Sequence, residues 1–236
     1  MKKALADEVA TIINGSNFDE WYRLRDKYSG IFSEYGDGRH PESSFRHAKN
    51  YSKYFDLDKH LKYHLRFIRL LNLDEETDSK RVLDLGCGAG LFLYLCQYYG
   101  HSGVGLDISS DMYRQMAEIL KVNWRAAPVL AYEPLPDDMQ DFDIVSAIAV
   151  KFDRLDWGPQ GSEPWDLPAW EFFLKDAAHR LKPGGCIFLK PNYAVHPTED
   201  APGIFFQDQR IEPFLKSIAS EVTPDTGYVI PRDKVV

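Results

Sequence analysis

The chain has 236 residues, 28 Lys+Arg against 36 Asp+Glu, a formal net charge of −8 at pH 7 and 44% hydrophobic residues. That length suits one domain or one domain with an elaborated edge, and the apolar fraction is that of a globular protein, not a disordered chain. The acidic balance excludes nucleic acid as the default partner, because phosphate neutralisation needs a clustered basic surface. No run of about 18 uncharged apolar residues occurs, so no membrane-spanning helix is expected.

The opening MKKALADEVATIING meets Asp7 and Glu8 before any long apolar stretch and does not read as a signal peptide. Residues 1–80 read as a helical N-terminal extension, aromatic-rich and broken near Ser29–Ser44. Within it, Tyr51 to Leu73 places Leu57, Leu61, Leu65, Ile68 and Leu71 at helical spacing, which predicts an amphipathic helix. Residues 74–80 are a polar connector. From Arg81 the texture alternates. Arg81–Leu85 reads as a strand closed by GCGAG, and Leu91–Tyr99 as a helix ended by Gly100. Gly103–Ile108 follows as a strand, then a helix Asp111–Lys121 capped by Ser109 or Ser110. Pro128–Tyr132 is the predicted third strand, and the near-continuous apolar run Asp141–Val150 a fourth, covered on both faces. An insertion rich in Trp, Pro and Gly leads to a helix over Ala169–Leu181. Lys182–Gly185 is a predicted turn into the strand Cys186–Lys190, followed by a helix over Asp208–Glu221 and a last short strand at Tyr228–Ile230.

This alternation predicts an α/β fold: a Rossmann-like, doubly wound, mostly parallel sheet with helices on both faces, over residues 81–236 as one compact unit. Ligands of such sheets lie beyond the C-terminal strand ends, where the strand order reverses. Only about fifteen residues follow Glu221, enough for at most two very short strands at the final edge.

Three cysteines, Cys87, Cys96 and Cys186, form no pairable framework, which favours a reducing, cytoplasmic setting. The spacing of Cys87 and Cys96 matches no common zinc site, so all three read as small buried residues and no metal is expected.

The first strand-to-helix turn carries the chemistry. In VLDLGCGAG (82–90) the glycines fall at 86, 88 and 90, a G-x-G-x-G pattern and not the G-x-G-x-x-G dinucleotide fingerprint. Asp84 precedes the first glycine inside the strand, where a carboxylate repels a pyrophosphate and suits an ammonium group. GVGLDIS (103–109) ends on Asp107, about twenty residues after Gly86, where an acid accepts both hydroxyls of an unphosphorylated ribose. The ligand that combines an amine, a ribose and no phosphate is S-adenosylmethionine.

VLDLGCGAG, then GVGLDIS, FDIV (142–145) and LKPGG before CIFL (181–189) together resemble the class I S-adenosylmethionine-dependent methyltransferases. The resemblance implies that Asp84 and the turn Gly86–Cys87–Gly88 hold the methionine portion, Asp107 the ribose hydroxyls and Ile108 one face of the adenine. Members of the family often carry an Asp, in a stretch ending Leu-Pro, that accepts from the adenine amino group. The matching stretch here is LAYEPLP (130–136), with Ala131 in that place and Tyr132 or Glu133 as substitutes. Ala147 and Ile148 are expected beneath the sulfonium. S-adenosylhomocysteine is the implied product.

Methyl transfer leaves the protein to orient the acceptor and to remove its proton. His196, in KPNYAVHP (190–197) past the fifth strand, is the general-base candidate. Asp153 and Asn192 follow strands four and five, but two oxygen ligands are too few for a magnesium site, and Asn192 is assigned to the substrate. Trp157 and Trp165 in the insertion, and Tyr51 in the N-terminal region, are the other candidate substrate residues. Arg46 or Tyr51 also offers a cover for the cofactor's carboxylate end. Aromatic walls of this kind suit a small-molecule acceptor, with oxygen favoured. A protein or peptide methyltransferase and a non-catalytic cofactor-binding module of the same fold are the alternatives that the motifs leave open.

Overall fold

A computed structural model describes residues 4–35, 52–75, 77–150, 152, 164–192, 209–223 and 227–236. Helices α1 (Leu5–Gly15) and α2 (Asp19–Tyr35) open the chain, and a 3-10 turn (Ser52–Phe55) precedes α3 (Leu57–Leu70). Then follow β1 (Arg81–Leu85), α4 (Leu91–Tyr98), β2 (Ser102–Asp107), α5 (Asp111–Leu120), β3 (Trp124–Ala126), β4 (Phe142–Ile148) and α6 (Leu167–His179). The chain continues through β5 (Leu181–Lys190), α7 (Ile211–Ile218), β6 (Glu221–Val222), β7 (Tyr228–Pro231) and a 3-10 turn (Arg232–Lys234). Seven strands form a sheet of order β3-β2-β1-β4-β5-β7-β6. This is the Rossmann-like, mostly parallel α/β arrangement, and its order turns back at β1. Among the described residues no helix is long and apolar enough to cross a membrane.

By internal contacts the chain resolves into two compact units, one of Met1–Ser79 with Cys87–Ala126, the other of Lys80–Gly86 with Ala127–Val236. In the first, α3 buries Leu57, Leu61, Leu65 and Ile68 on the face that their spacing predicts. The helix is shorter than the predicted 51–73 because a side chain caps its start and a left-handed residue ends it. Asp56 caps it by accepting from the Lys59 N–H at 3.1 Å. At the other end Asn72 takes φ +55°, and the Leu73 N–H donates to the Ile68 carbonyl at 2.9 Å. That is the left-handed termination usually given to glycine, with asparagine in its place. Leu71 therefore falls outside the helix. Arg69 pairs with Glu8, which also accepts from the Tyr99 hydroxyl, so one carboxylate ties α1, α3 and the end of α4 together. Burial and this contact push the Tyr99 phenol well above its ordinary value. His101 is buried, its Nε2 2.8 Å from the Leu73 carbonyl oxygen.

The third strand lies elsewhere than predicted. Gly105, Leu106 and Asp107 of β2 pair in parallel with Trp124, Arg125 and Ala126, whereas 128–132 is loop and turn. Pro128 brings no N–H to a ladder, and Tyr132 has φ +62°. β3 is a sheet edge that buries no residue fully, so it lacks the apolar pattern by which strands are recognised.

In the second unit β1 and β4 pair in parallel with Leu83 opposite Val145 and Asp84 opposite Ser146. β4 and β5 continue the parallel ladder, with a register shift between Phe142 and Ile144. Phe142 stands opposite Leu181 and Ile144 opposite Cys186, so Lys182–Gly185, predicted as a turn, is carried inside β5 as an irregularity opposite Asp143. The helix predicted over 169–181 starts earlier, at Leu167, because the Asp166 side chain accepts from the Ala169 N–H at 3.0 Å and caps it. Helix α7 spans only Ile211–Ile218. Ala219 turns to extended backbone (φ −73°, ψ 138°), so Glu221 belongs to a strand and not to the predicted helix. β6 and β7 then form an antiparallel hairpin, and β7 pairs antiparallel with β5, Tyr228 facing Leu189. Two very short strands are thus enough to complete the edge.

Candidate functional site

The chain leaves β1 through the glycine turn and enters α4 at Leu91. Gly86 and Gly88 both have positive φ, +65° and +55°, a conformation that costs other residues about 1–2 kcal/mol. Their surroundings differ. A Cβ on Gly86 would stand 2.5 Å from Val150 Cγ2, whereas one on Gly88 would meet, among the described residues, only the Tyr113 ring, at 3.9 Å. The absent side chain of Gly86 is therefore filled by protein. Among the described residues Gly88 has the more room beside it. Cys87 donates its N–H to the Leu106 carbonyl at 3.2 Å, and its sulfur lies where a side chain on Gly105 would have to be. Its thiol packs on β2 and also lies 3.9 Å from the Gly88 carbonyl oxygen.

Asp107 ends β2 with 9% of its surface exposed. One carboxylate oxygen accepts from the Gly88 N–H at 2.5 Å, the other from the Ile108 N–H at 2.7 Å. Burial pushes its carboxyl up to about 6, against the pull of those two amide donors. Ile108 is half-buried beside it. Cys87, Gly88, Asp107 and Ile108 are thus brought together at the end of β2, around a buried acceptor-only carboxylate.

In the other unit Asp84 is 2% exposed, and the Ser146 hydroxyl donates to its Oδ1 at 2.7 Å. Sequence reading missed Ser146. The signal was present, since Ser146 is the one hydroxyl in the largely apolar FDIVSAI run of β4. Ala147 is fully buried in that strand, opposite Leu85 on one side and Leu189 on the other. Beyond it Ala149 has φ +58° and donates its N–H to the Lys190 carbonyl at 2.6 Å, while the Asn192 N–H donates to Val150 at 3.0 Å. Non-glycine residues in this region concentrate at functional sites. The ends of β4 and β5 are therefore stitched together, with Val150 resting on Gly86 and the exposed Asn192 next to them.

Two other candidates have partners of their own. Glu133 is exposed in a turn, its N–H 3.4 Å from the Leu130 carbonyl, and the neighbouring Tyr132 hydroxyl donates to Asp166 at 2.8 Å. Trp165 is 2% exposed, in an aromatic cluster with Phe152, Trp170 and Phe173 at centroid distances of 5.0 to 5.9 Å. His196, Tyr51, Trp157, Asp153 and Arg46 fall outside the described residues. Among the described residues no group of three His, Cys, Asp or Glu is arranged to hold a metal.

Residues 82–185 match the family model of a methyltransferase domain. The chain is 27% identical over 129 residues to a ubiquinone biosynthesis O-methyltransferase of Coxiella burnetii, covering 52% of this chain and 48% of that protein. It is 26% identical over 172 residues to a chloroplastic tocopherol O-methyltransferase of Arabidopsis thaliana, covering 68% and 45%. The chain thus spans about half the length of the curated relatives it matches. Among solved structures, a protein of Pyrococcus horikoshii OT3 superposes with a TM-score of 0.45 at 20% identity, over 72% of this chain and 90% of its own. Residues 82–185 thus match a methyltransferase domain, and the sheet that carries them is Rossmann-like.

Proposed function

We propose that this chain methylates a small-molecule acceptor, at oxygen in preference to nitrogen or carbon. S-adenosylmethionine, when bound, supplies an electrophilic methyl group on a sulfonium. The observation that carries the reading is the Gly88–Asp107 pair. A carboxylate buried at the end of β2 and oriented by two amides is ready to accept from vicinal hydroxyls, and the bare surface of Gly88 adjoins it. The residues fit the cofactor in charge as well. Asp84, oriented by Ser146, offers an acceptor for the ammonium end, and the 86–88 turn offers backbone to the methionine portion. Ile108 takes one face of the adenine, and Glu133 or Tyr132 its amino group. Ala147 contributes to the floor near the sulfonium.

The transfer is an in-line displacement, so the chain's remaining tasks are to align the acceptor and to take its proton. His196 is assigned the proton, with Asn192, Tyr51, Trp157 and Trp165 around the acceptor. The names of the two curated relatives, both O-methyltransferases, support oxygen as the accepting atom. Three cysteines with no pairable spacing in the sequence support a reducing, cytoplasmic setting.

The test is product formation. The protein is incubated with S-adenosylmethionine and a panel of hydroxyl-bearing and amine-bearing small molecules, with S-adenosylhomocysteine release followed by mass spectrometry. Turnover is expected with hydroxyl acceptors and should fall at least about a hundredfold in His196→Ala. Turnover confined to amines or peptides, or tight cofactor binding with no turnover, would overturn it.

A further inference from the structure

We infer that the pair Tyr54–Tyr113 is a positioning device through which the N-terminal helices set cofactor affinity. The inference rests on the cofactor reading given above and adds two residues to it. Tyr113 opens α5, its N–H bonded to the Ser110 hydroxyl that caps the helix. It is 8% exposed, and among the described residues its ring edge is what a side chain on Gly88 would meet, at 3.9 Å. Gly88 in turn holds the Asp107 carboxylate. A ligand seated on Gly88 with its hydroxyls on Asp107 must therefore lie along the Tyr113 ring.

Tyr113 is itself held from the N-terminal side. Tyr54 meets it edge-to-face, with centroids 5.6 Å apart and planes at 85°. Tyr54 also stacks on His60, at 6.3 Å and 13°. The 3-10 turn that presents Tyr54 is fixed through its neighbour Phe55. The Trp21 indole N–H donates to the Phe55 carbonyl at 3.3 Å, and the Trp21 and Tyr28 rings stand 5.9 and 6.1 Å from the Phe55 ring. Tyr28 and Lys27 also bond to Gln115 on α5. Helix α2 thus grips the turn and α5 together, and Tyr54 is the ring that transmits this to the ligand-facing Tyr113. Neither tyrosine is assigned to the chemical step. Both act by fixing the wall of the pocket before the ligand arrives, which raises affinity by lowering the ordering cost of binding.

The experiment is calorimetric titration of S-adenosylhomocysteine into the full chain and into Tyr54→Ala, Tyr54→Phe and Tyr113→Leu, with thermal melts of each ligand-free protein. An edge-to-face pair corresponds to about a three- to tenfold effect. Tyr54→Ala is expected to weaken binding by about that factor with a melt close to that of the parent chain, and Tyr54→Phe to restore it. Tyr113→Leu, which keeps the apolar face of α5, is expected to weaken binding at least as much. Parent-like binding in folded Tyr54→Ala or Tyr113→Leu overturns the inference and leaves the cofactor reading standing. Absence of binding in the parent chain overturns the cofactor reading itself.

Discussion

Asp107 answers two opposed demands. Burial makes its charge costly and raises its carboxyl to about 6, while a ribose needs the ionised acceptor. The two signs can be separated. Because the folded value lies above the ordinary one, this group's contribution to folding is complete at acid pH and is lost as pH rises through about 6. Cofactor affinity runs the other way, falling as the carboxylate is protonated. Titrations of S-adenosylhomocysteine at pH 7.5 and pH 5 should differ by about tenfold, weaker at the lower pH, and Asp107→Asn should flatten that dependence. Ser146→Ala is expected to cost about 1–3 kcal/mol in denaturant unfolding, because it leaves the buried Asp84 without its hydroxyl donor. At this scale the strand ends and the glycine turn that carry Asp84, Gly88 and Asp107 were legible in the sequence. It could not separate Gly86 from Gly88, because what fills the space beside Gly86 is Val150, a residue remote in sequence.

The glycine turn makes a prediction of its own. Gly86→Ala adds a methyl group at a positive φ and drives it to 2.5 Å from Val150. The expected cost is about 2–4 kcal/mol by chemical denaturation. Val150→Ala should recover part of it, so the double variant should be more stable than the sum of the single changes predicts. Gly88→Ala pays the same backbone strain with no comparable clash, and its larger effect should be on cofactor affinity. Elements were legible where periodicity was strong, as in α3 and β4. They were misplaced where edge position or capping decided the matter. β3 carries no buried stripe to betray it, the start of α6 is set by Asp166, and Ala219 ends α7 before Glu221.

The sheet's winding was legible in the sequence, because the strand–helix alternation from Arg81 leaves few ways to wind a parallel sheet. The final hairpin was the part least visible, since β6 contributes two residues and β7 four. Such strands hold by register to β5 and not by a hydrophobic pattern of their own. Ligand binding should be felt across the fold. At a hundredfold excess over its dissociation constant, S-adenosylhomocysteine should stabilise the native state by about 2.7 kcal/mol, a rise in melting temperature of about 5–10 °C.

The central claim is that the acid at the end of β2 anchors the ribose of S-adenosylmethionine. The most direct measurement is calorimetric titration of S-adenosylhomocysteine into the chain and into Asp107→Ala at pH 7.5. Micromolar binding (about −8 kcal/mol) that the variant loses by about tenfold or more is the predicted result. No binding to the folded chain, or equal binding by a folded Asp107→Ala, would contradict it.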